Sequence, residues 1–379
     1  MDPWIADSAQ AIAATAAREL EALVGVSSPS GDVRGAEEAI AVAVALLPPD
    51  AGVERVPCSS PGHAPDLVAR LAGTGRPRLL LVGHVDTVVA HDAHEPLRRD
   101  GERLVGSGSI DMKGGDVLAL GVLRALAGRR ADFAEVALLL VADEEWRTAP
   151  FGHVERFAGF DACLCFEAGQ RDAGGGDAVV ARRKAAGTIR ITAAGRSAHS
   201  GSAPDDGANA LLALAAVAQA VAALHAPAGP QHLTAVPTVV RAGDAFNVVP
   251  AAGELVCDVR ADALDAFEAV LAAVPREIGG VTLSAENLRC WPGMDARAAL
   301  EPVLARAGQA LGRPIAAGRR GGASDASHFA ATIPLTVDGL GPLGGGAHAP
   351  GEFVVAESLR TRAEVALAVA AASLAHNRS

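Results

Sequence analysis

Three short apolar runs constrain this chain more than any other feature. Arg78 to Val82, Val136 to Ala142 and Ala162 to Phe166 read as strands that are apolar throughout rather than in alternation. Such strands need cover on both faces, which is the habit of parallel sheets flanked by helices. Helical spacing of apolar residues at about 8–25, 34–47 and 115–128 supplies that cover, and the class is α/β with a mostly parallel sheet in a three-layer domain. Each run also ends in ionisable groups: His84 and Asp86 after the first, Asp143, Glu144 and Glu145 after the second, Glu167 after the third. Ligand sites of open α/β sheets collect beyond these strand ends.

The pattern changes near residue 179. Thr188 to Ala194 alternates like a half-exposed strand, and a long Ala/Leu helix follows at about 206–224. Strand-like stretches at 234–241, 253–260 and 281–288, with a helix at 262–275, complete a β-α-β-β-α-β order. From about 292 the first style returns: a helix at 298–311, a glycine turn at 321–322, a helix from 324, an apolar strand at 333–337 and a last helix near 356–375. The spacing predicts a catalytic domain made of 1–179 and 292–379, interrupted by an inserted ferredoxin-like α+β sandwich at 180–291.

Asp111 lies in the turn Gly106-Ser107-Gly108-Ser109-Ile110-Asp111-Met112-Lys113-Gly114-Gly115, just before an apolar helix. Taken alone it reads as a helix N-cap. The strand ends around it change that reading. Several carboxylates at one sheet edge repel unless cations neutralise them. Imidazole with carboxylate suits Zn²⁺, with Co²⁺ and Mn²⁺ as alternatives. His348, in the glycine-rich loop Gly344 to Pro350, is a further candidate ligand. Two histidines and several carboxylates suffice for two metals if one carboxylate bridges. Asp86 shares a side of its extended segment with His84 and is placed to orient that imidazole.

A net charge of −11 and an aromatic content of 3% argue against nucleic acid, which needs basic patches and stacking platforms. The first ten residues lack a basic and an apolar region of the secretory kind, and no charge-free run of about 18 apolar residues is present, so a cytoplasmic location is expected. The five cysteines are scattered, and Cys163 and Cys165 alternate along a strand as buried small apolar residues would. Of 33 basic residues only Lys113 and Lys184 are lysines, which marks both as places for a compact ammonium.

The series Gly83-His84-Val85-Asp86-Thr87, Asp111-Met112-Lys113-Gly114-Gly115, Asp143-Glu144-Glu145, Glu167 and Gly346-Ala347-His348 resembles the di-zinc family of glutamate carboxypeptidase, acetylornithine deacetylase and succinyl-diaminopimelate desuccinylase. The likeness runs from about residue 20 to 370. It takes in Gly195-Arg196-Ser197-Ala198-His199-Ser200-Gly201, and Asn247-Val248-Val249-Pro250 up to Asp258-Val259-Arg260. The resemblance implies two divalent ions, with Asp111 bridging, His84 and Glu167 completing one site, and Glu145 and His348 the other. It implies Glu144 as general base, Asp86 as the orienter of His84, and His199 as an oxyanion donor reaching a partner's active site. Asn247 and Arg260 are implied contacts to a substrate carboxylate, with Arg183 and Lys184 as further candidates. It also implies a homodimer through 180–291.

The expected activity is hydrolysis of an N-acyl amino acid or a small peptide with a free C-terminal carboxylate, most like a glutamate carboxypeptidase. The alternative is a biosynthetic deacylase of the acetylornithine or succinyl-diaminopimelate type. Glutamate at 167 favours these branches over the aminopeptidase-like ones. One departure stands out: Trp146 to Phe151 replaces the family's usual Gly/Ser turn. A binding protein that lost its metals fits poorly with an intact ligand series, and a serine hydrolase lacks the Gly-x-Ser-x-Gly elbow.

Overall fold

The computed structural model describes residues 1–376. Their contacts form two units: residues 1–182 with 295–320 and 324–376, and Arg183–Met294 with Gly321–Ala323.

In the first unit, six strands form one mixed sheet in the order Gly52–Val56, Asp66–Ala72, Glu135–Val141, Arg78–His84, Ala162–Cys165, Leu335–Val337. The first two pairings are antiparallel and the other three parallel. The central strands are the apolar runs: Leu79 to Leu81, Leu138 to Leu140 and Leu164 are fully buried. Helices Pro3–Val24, Gly114–Ala127 and Ser358–His376 pack together over this sheet. Register sets the site. Val82 pairs with both Leu139 and Cys165, and His84 with Val141. The three chain segments carrying ionisable groups therefore leave the sheet side by side.

Two glycines allow the helix Gly114–Ala127 to approach these strand ends. A Cβ on Gly83 would lie 2.1 Å from Asp116 Oδ1, and one on Gly115 would lie 1.9 Å from the Phe166 carbonyl oxygen. Backbone cannot yield as a side-chain tip can. Gly115→Ala is expected to destabilise the protein by about 1–3 kcal/mol, the usual range for overpacking. A urea midpoint unchanged from wild type would contradict this tight approach.

A small sheet holds the remaining loops of this unit. Gly344–Gly345 pairs with Phe353–Val355, which pairs in turn with Arg103–Val105. The His348 loop is thereby tied to the strand that leads into the Asp111 turn.

The second unit has five antiparallel strands in the order Thr234–Ala242, Ala252–Ala261, Ala185–Ala194, Val281–Trp291, Glu277–Ile278. Ile189, Ile191, Leu255 and Val259 from the sheet bury against Leu214, Val217 and Val221 of helix Ala210–Ala223, and against Phe267 and Val270. Asn209 caps that helix through the Leu212 N–H at 3.2 Å.

Three expected elements differ. The helix at 262–275 shrinks to Phe267–Ala272 after a 3₁₀ turn at Leu264–Ala266, and Pro275 stands just beyond its end. The helix from 324 spans only Ala326–Phe329, and the following strand starts after Pro334, at Leu335. The chain leaves the first unit at Arg182 rather than 179, because the unanticipated strand Asp177–Arg183 runs on with Ala178 to Ala181 buried.

Candidate metal centre

Two groups of ligand atoms meet beyond the sheet, His84–Asp111–Glu167 and Asp111–Glu145–His348, each with its atoms within 4.8 Å of one another. Asp111 belongs to both. Its Oδ1 lies 3.3 Å from His84 Nε2, and its Oδ2 lies 3.1 Å from His348 Nε2. His84 Nε2 is 3.8 Å from Glu167 Oε1, and His348 Nε2 is 3.1 Å from Glu145 Oε1.

Asp111 is not the helix N-cap. Its backbone is extended (φ −125°, ψ 90°), the peptide to Met112 is cis, and the residue preceding the helix is Lys113. The side chain faces the two imidazoles instead. Glu352 secures this turn: its carboxylate accepts the N–H groups of Gly108 at 2.7 Å, Ile110 at 2.7 Å and Asp111 at 2.9 Å. Burial pushes the Glu352 carboxyl up to about 7, against the pull of those bonds. Sequence reading missed Glu352, which sits over 240 residues from the turn it holds. Lys113 also acquires a role: its buried ammonium donates to the Val26 carbonyl at 2.7 Å, and burial lowers it to about 8.

Asp86 braces two segments at once. Its Oδ1 lies 3.2 Å from His84 Nδ1 and accepts the Glu144 N–H at 3.2 Å, while Oδ2 accepts the Glu145 N–H at 3.1 Å. The Asp86 carbonyl is also 3.0 Å from His84 Nδ1. With Nδ1 donating there, Nε2 is the ring nitrogen left for a metal, which would displace its proton. That nitrogen is buried, 3.3 Å from Asp111 Oδ1 and 3.8 Å from Glu167 Oε1. A buried imidazole nitrogen facing two carboxylates fits a metal ligand, as does the donor set of imidazole and carboxylate.

Electrostatics agree with that fit. Burial alone would raise Asp111, but hydrogen bonds to His348 and His84 bring it well below the usual carboxylate range. Burial would lower His84, yet Asp111 and Asp86 hold it well above the ordinary histidine value. Glu144 is raised well above a normal glutamate by burial, with Glu167 adding and His84 opposing. Among the described residues, the Glu144 side chain has neither a hydrogen bond nor an ion pair, whereas Asp86, Asp111 and Glu145 all have partners.

The segment from Trp146 is built into this unit by a buried arginine. Arg147 donates to Asp143 Oδ1 at 3.0 Å and 3.2 Å, and to both oxygens of Asp325 at 2.5 Å and 2.8 Å. Ser60 gives Asp143 two further bonds, at 2.9 Å and 2.7 Å. Nothing in the sequence paired these three distant stretches.

The other expected site residues lie in the second unit. His199 Nδ1 accepts the N–H groups of Gly201 at 3.1 Å and Ser202 at 3.2 Å. Its proton is therefore on Nε2, which leaves an exposed N–H donor. The Asn247 carbonyl accepts from the Ser200 N–H at 3.0 Å, which ties the two stretches together. Arg260 pairs with Asp258 at 3.1 Å. Arg183 donates to the Gly322 carbonyl at 2.8 Å, and Lys184 to the His232 carbonyl at 2.6 Å, so both cations have local structural partners.

Residues 80–372 match the peptidase family M20/M25/M40. Carboxypeptidase G2 of Pseudomonas sp. (strain RS-16) is 27% identical over 353 residues, covering 87% of this chain and 82% of that protein. A succinyl-diaminopimelate desuccinylase of Gluconobacter oxydans (strain 621H) is 38% identical over 85 residues, 21% of this chain and 22% of the relative. Aminopeptidase PepT from Bacillus cereus superposes with a TM-score of 0.71 at 19% identity, over 96% of this chain and 99% of that one. Among the described residues, no helix is long and apolar enough to cross a membrane.

Proposed function

We propose, for a chain that belongs to the M20/M25/M40 peptidase family and is thereby a hydrolase of peptide and amide bonds, the removal of a C-terminal amino acid from an N-acyl amino acid or small peptide. The observation that carries this reading is the pair of ligand groups sharing Asp111, with the unpaired Glu144 carboxylate beside them. His84, Asp111 and Glu167 would hold one divalent ion, and Asp111, Glu145 and His348 the second. Zn²⁺ is the favoured metal, with Co²⁺ or Mn²⁺ as alternatives. Such ions supply polarisation of the scissile carbonyl and a more acidic water.

The chain's own groups do the rest. Glu144 accepts the proton of the attacking water and returns it to the leaving amine. Asp86 fixes the ring of His84 through Nδ1, which leaves Nε2 for the metal. The exposed Nε2–H of His199 donates to the developing oxyanion. Arg260 and Asn247 hold the carboxylate of the departing amino acid, which selects substrates with a free C-terminus.

A second copy of the chain is the partner this reading implies, through the inserted unit. Strand Thr234–Ala242 is an edge of its sheet, and Val236 and Val240 on it are exposed at 41% and 59%. Leu212 of helix Ala210–Ala223 is exposed at 64% and Phe246 completely. An apolar edge of this kind is normally covered. In this dimer, His199 of one copy serves the centre of the other.

The deciding experiment is a panel of N-acyl amino acids and dipeptides, with free and amidated C-termini, incubated with metal-loaded protein and read by chromatography. Hydrolysis of the free acids only is expected. Equal rates on the amides would refute the carboxylate requirement. The match to a desuccinylase favours including N-succinyl amino acids, the second reading.

Metal uptake should be linked to protons. Hydrogen bonds to Asp111 and then Glu145 push His348 from 6.5 up to about 10. Its protonated form therefore stabilises the fold below pH 6.5, and that contribution is lost as pH rises through about 10. A metal ion displaces that proton, so uptake near neutral pH should release protons, and affinity should weaken as pH falls. Calorimetric titration in two buffers of different ionisation enthalpy should give different heats. Equal heats would contradict the assignment of His348.

A further inference from the structure

The stretch that carries Glu144 and Glu145 has no regular structure of its own. Strand Glu135–Val141 ends just before it, and the next element is the 3₁₀ turn Glu155–Phe157. Glu144 therefore sits on loop backbone, and among the described residues its carboxylate has no hydrogen bond to fix it. Whatever aims that carboxylate acts through the backbone.

Two devices hold this backbone. Asp86 accepts the N–H groups of Glu144 at 3.2 Å and Glu145 at 3.1 Å. Arg147 supplies the second: its side chain folds back onto Asp143 at 3.0 Å and 3.2 Å, which closes the loop from Asp143 to Arg147 around the two acids. The same guanidinium takes both oxygens of Asp325, at 2.5 Å and 2.8 Å. Ser60 completes the clasp. Its N–H and hydroxyl donate to Asp143 Oδ2 at 2.9 Å and 2.7 Å, and its Oγ accepts the Thr148 N–H at 2.8 Å. Phe151 lies against the guanidinium at 4.6 Å.

Arg147, Asp143 and Asp325 are exposed at only 4%, 0% and 2%. Burial would raise Asp325, yet Arg147 brings it below the usual carboxylate range. Buried ion pairs add little net stability over apolar residues of the same volume, because desolvation offsets their attraction. What a planar fork gives that an apolar side chain cannot is direction: it fixes two carboxylates at set angles. One of those carboxylates belongs to the residue just before Glu144.

We propose that Arg147 is a positioning residue for the general base: by clasping Asp143 and Asp325 it fixes the loop backbone that aims Glu144 at the attacking water. This inference rests on the amidohydrolase reading above, with Glu144 as its base.

The test compares metal-loaded full-length wild type with Arg147→Lys and with the double variant Arg147→Met/Asp325→Asn, on the best substrate of the panel. Each change is also made in the Glu144→Gln background. Lysine keeps the charge and loses the fork; the double variant removes one charge of each sign and keeps the net charge. Both should lower kcat about 10–100-fold, the scale for a small misplacement of a reacting group, with KM within about twofold of wild type and the bound metal retained. In the Glu144→Gln background the same changes should alter kcat by less than about twofold, because the group they aim is gone. Thermal melts check folding, and the double variant decides where the lysine variant does not fold. A kcat left within about twofold of wild type, or lowered equally in the two backgrounds, overturns the positioning role while the hydrolase reading stands. Loss of a bound ion along with turnover overturns it too. Wild type that cleaves no member of the substrate panel overturns both.

Discussion

Glu144→Gln is expected to lower kcat by about 10²–10⁴-fold, the contribution typical of a positioned general base. KM should change little, because the substitution leaves both ligand groups of the centre intact. The change keeps the size of the side chain and removes only the proton acceptor. Metal content and melting temperature should therefore stay near wild type, since the Glu144 carboxylate has no partner to lose among the described residues. Its N–H bond to Asp86 is made by backbone and survives the substitution. The carboxyl is held well above its ordinary range, first by burial and then by Glu167. A base raised in this way is nearer in pKa to the water it deprotonates. Activity within a few-fold of wild type would remove Glu144 from the mechanism.

Asp111→Asn should have the larger structural consequence. Among the described residues, Asp111 alone is shared by the two ligand groups, so one substitution weakens both. It also removes the charge that lies 3.3 Å from His84 Nε2 and 3.1 Å from His348 Nε2. Turnover should fall by about 10²–10³-fold or more, the scale of losing one preorganised electrostatic contact at a reacting centre. Stability gives a readout independent of activity. Metal at a hundredfold excess over its Kd stabilises a folded protein by about 2.7 kcal/mol. Wild type should show that metal-dependent rise in melting temperature, and Asp111→Asn should lose most of it. An unaltered rise in the variant would mean that the metals bind elsewhere.

Much of this centre was legible because parallel strands advertise themselves. Leu79 to Leu81 and Leu138 to Leu140 are apolar on both faces, so their ends, and the acids and histidine there, can be placed without coordinates. Asp111 was legible only in company: in isolation the helix behind it made a cap the natural reading, and its extended backbone shows otherwise. What escaped had no local signal. Glu352 serves the Asp111 turn from the far end of the chain, and an acid beside a glycine says nothing of three distant N–H groups. Arg147 and Asp325 meet across 178 residues. The strand Gly52–Val56 is exposed over four of its five residues and lacked the apolar pattern of its neighbours. The resemblance offered Arg183 and Lys184 as further substrate contacts, and it carries no sign of the backbone carbonyls of Gly322 and His232 to which they donate. Trp146 registered only as a departure from a family pattern, and its exposure beside the buried Arg147 is a tertiary property.

In the proposed centre, Asp111 bridges two divalent ions. The most direct test is the metal stoichiometry of the metal-stripped full-length chain, titrated with Zn²⁺ by calorimetry and confirmed by elemental analysis, beside Asp111→Asn. Two tightly bound ions per wild-type chain are expected, and one or none in the variant. Wild type that binds no divalent metal, or a variant that keeps both ions, would contradict that bridge.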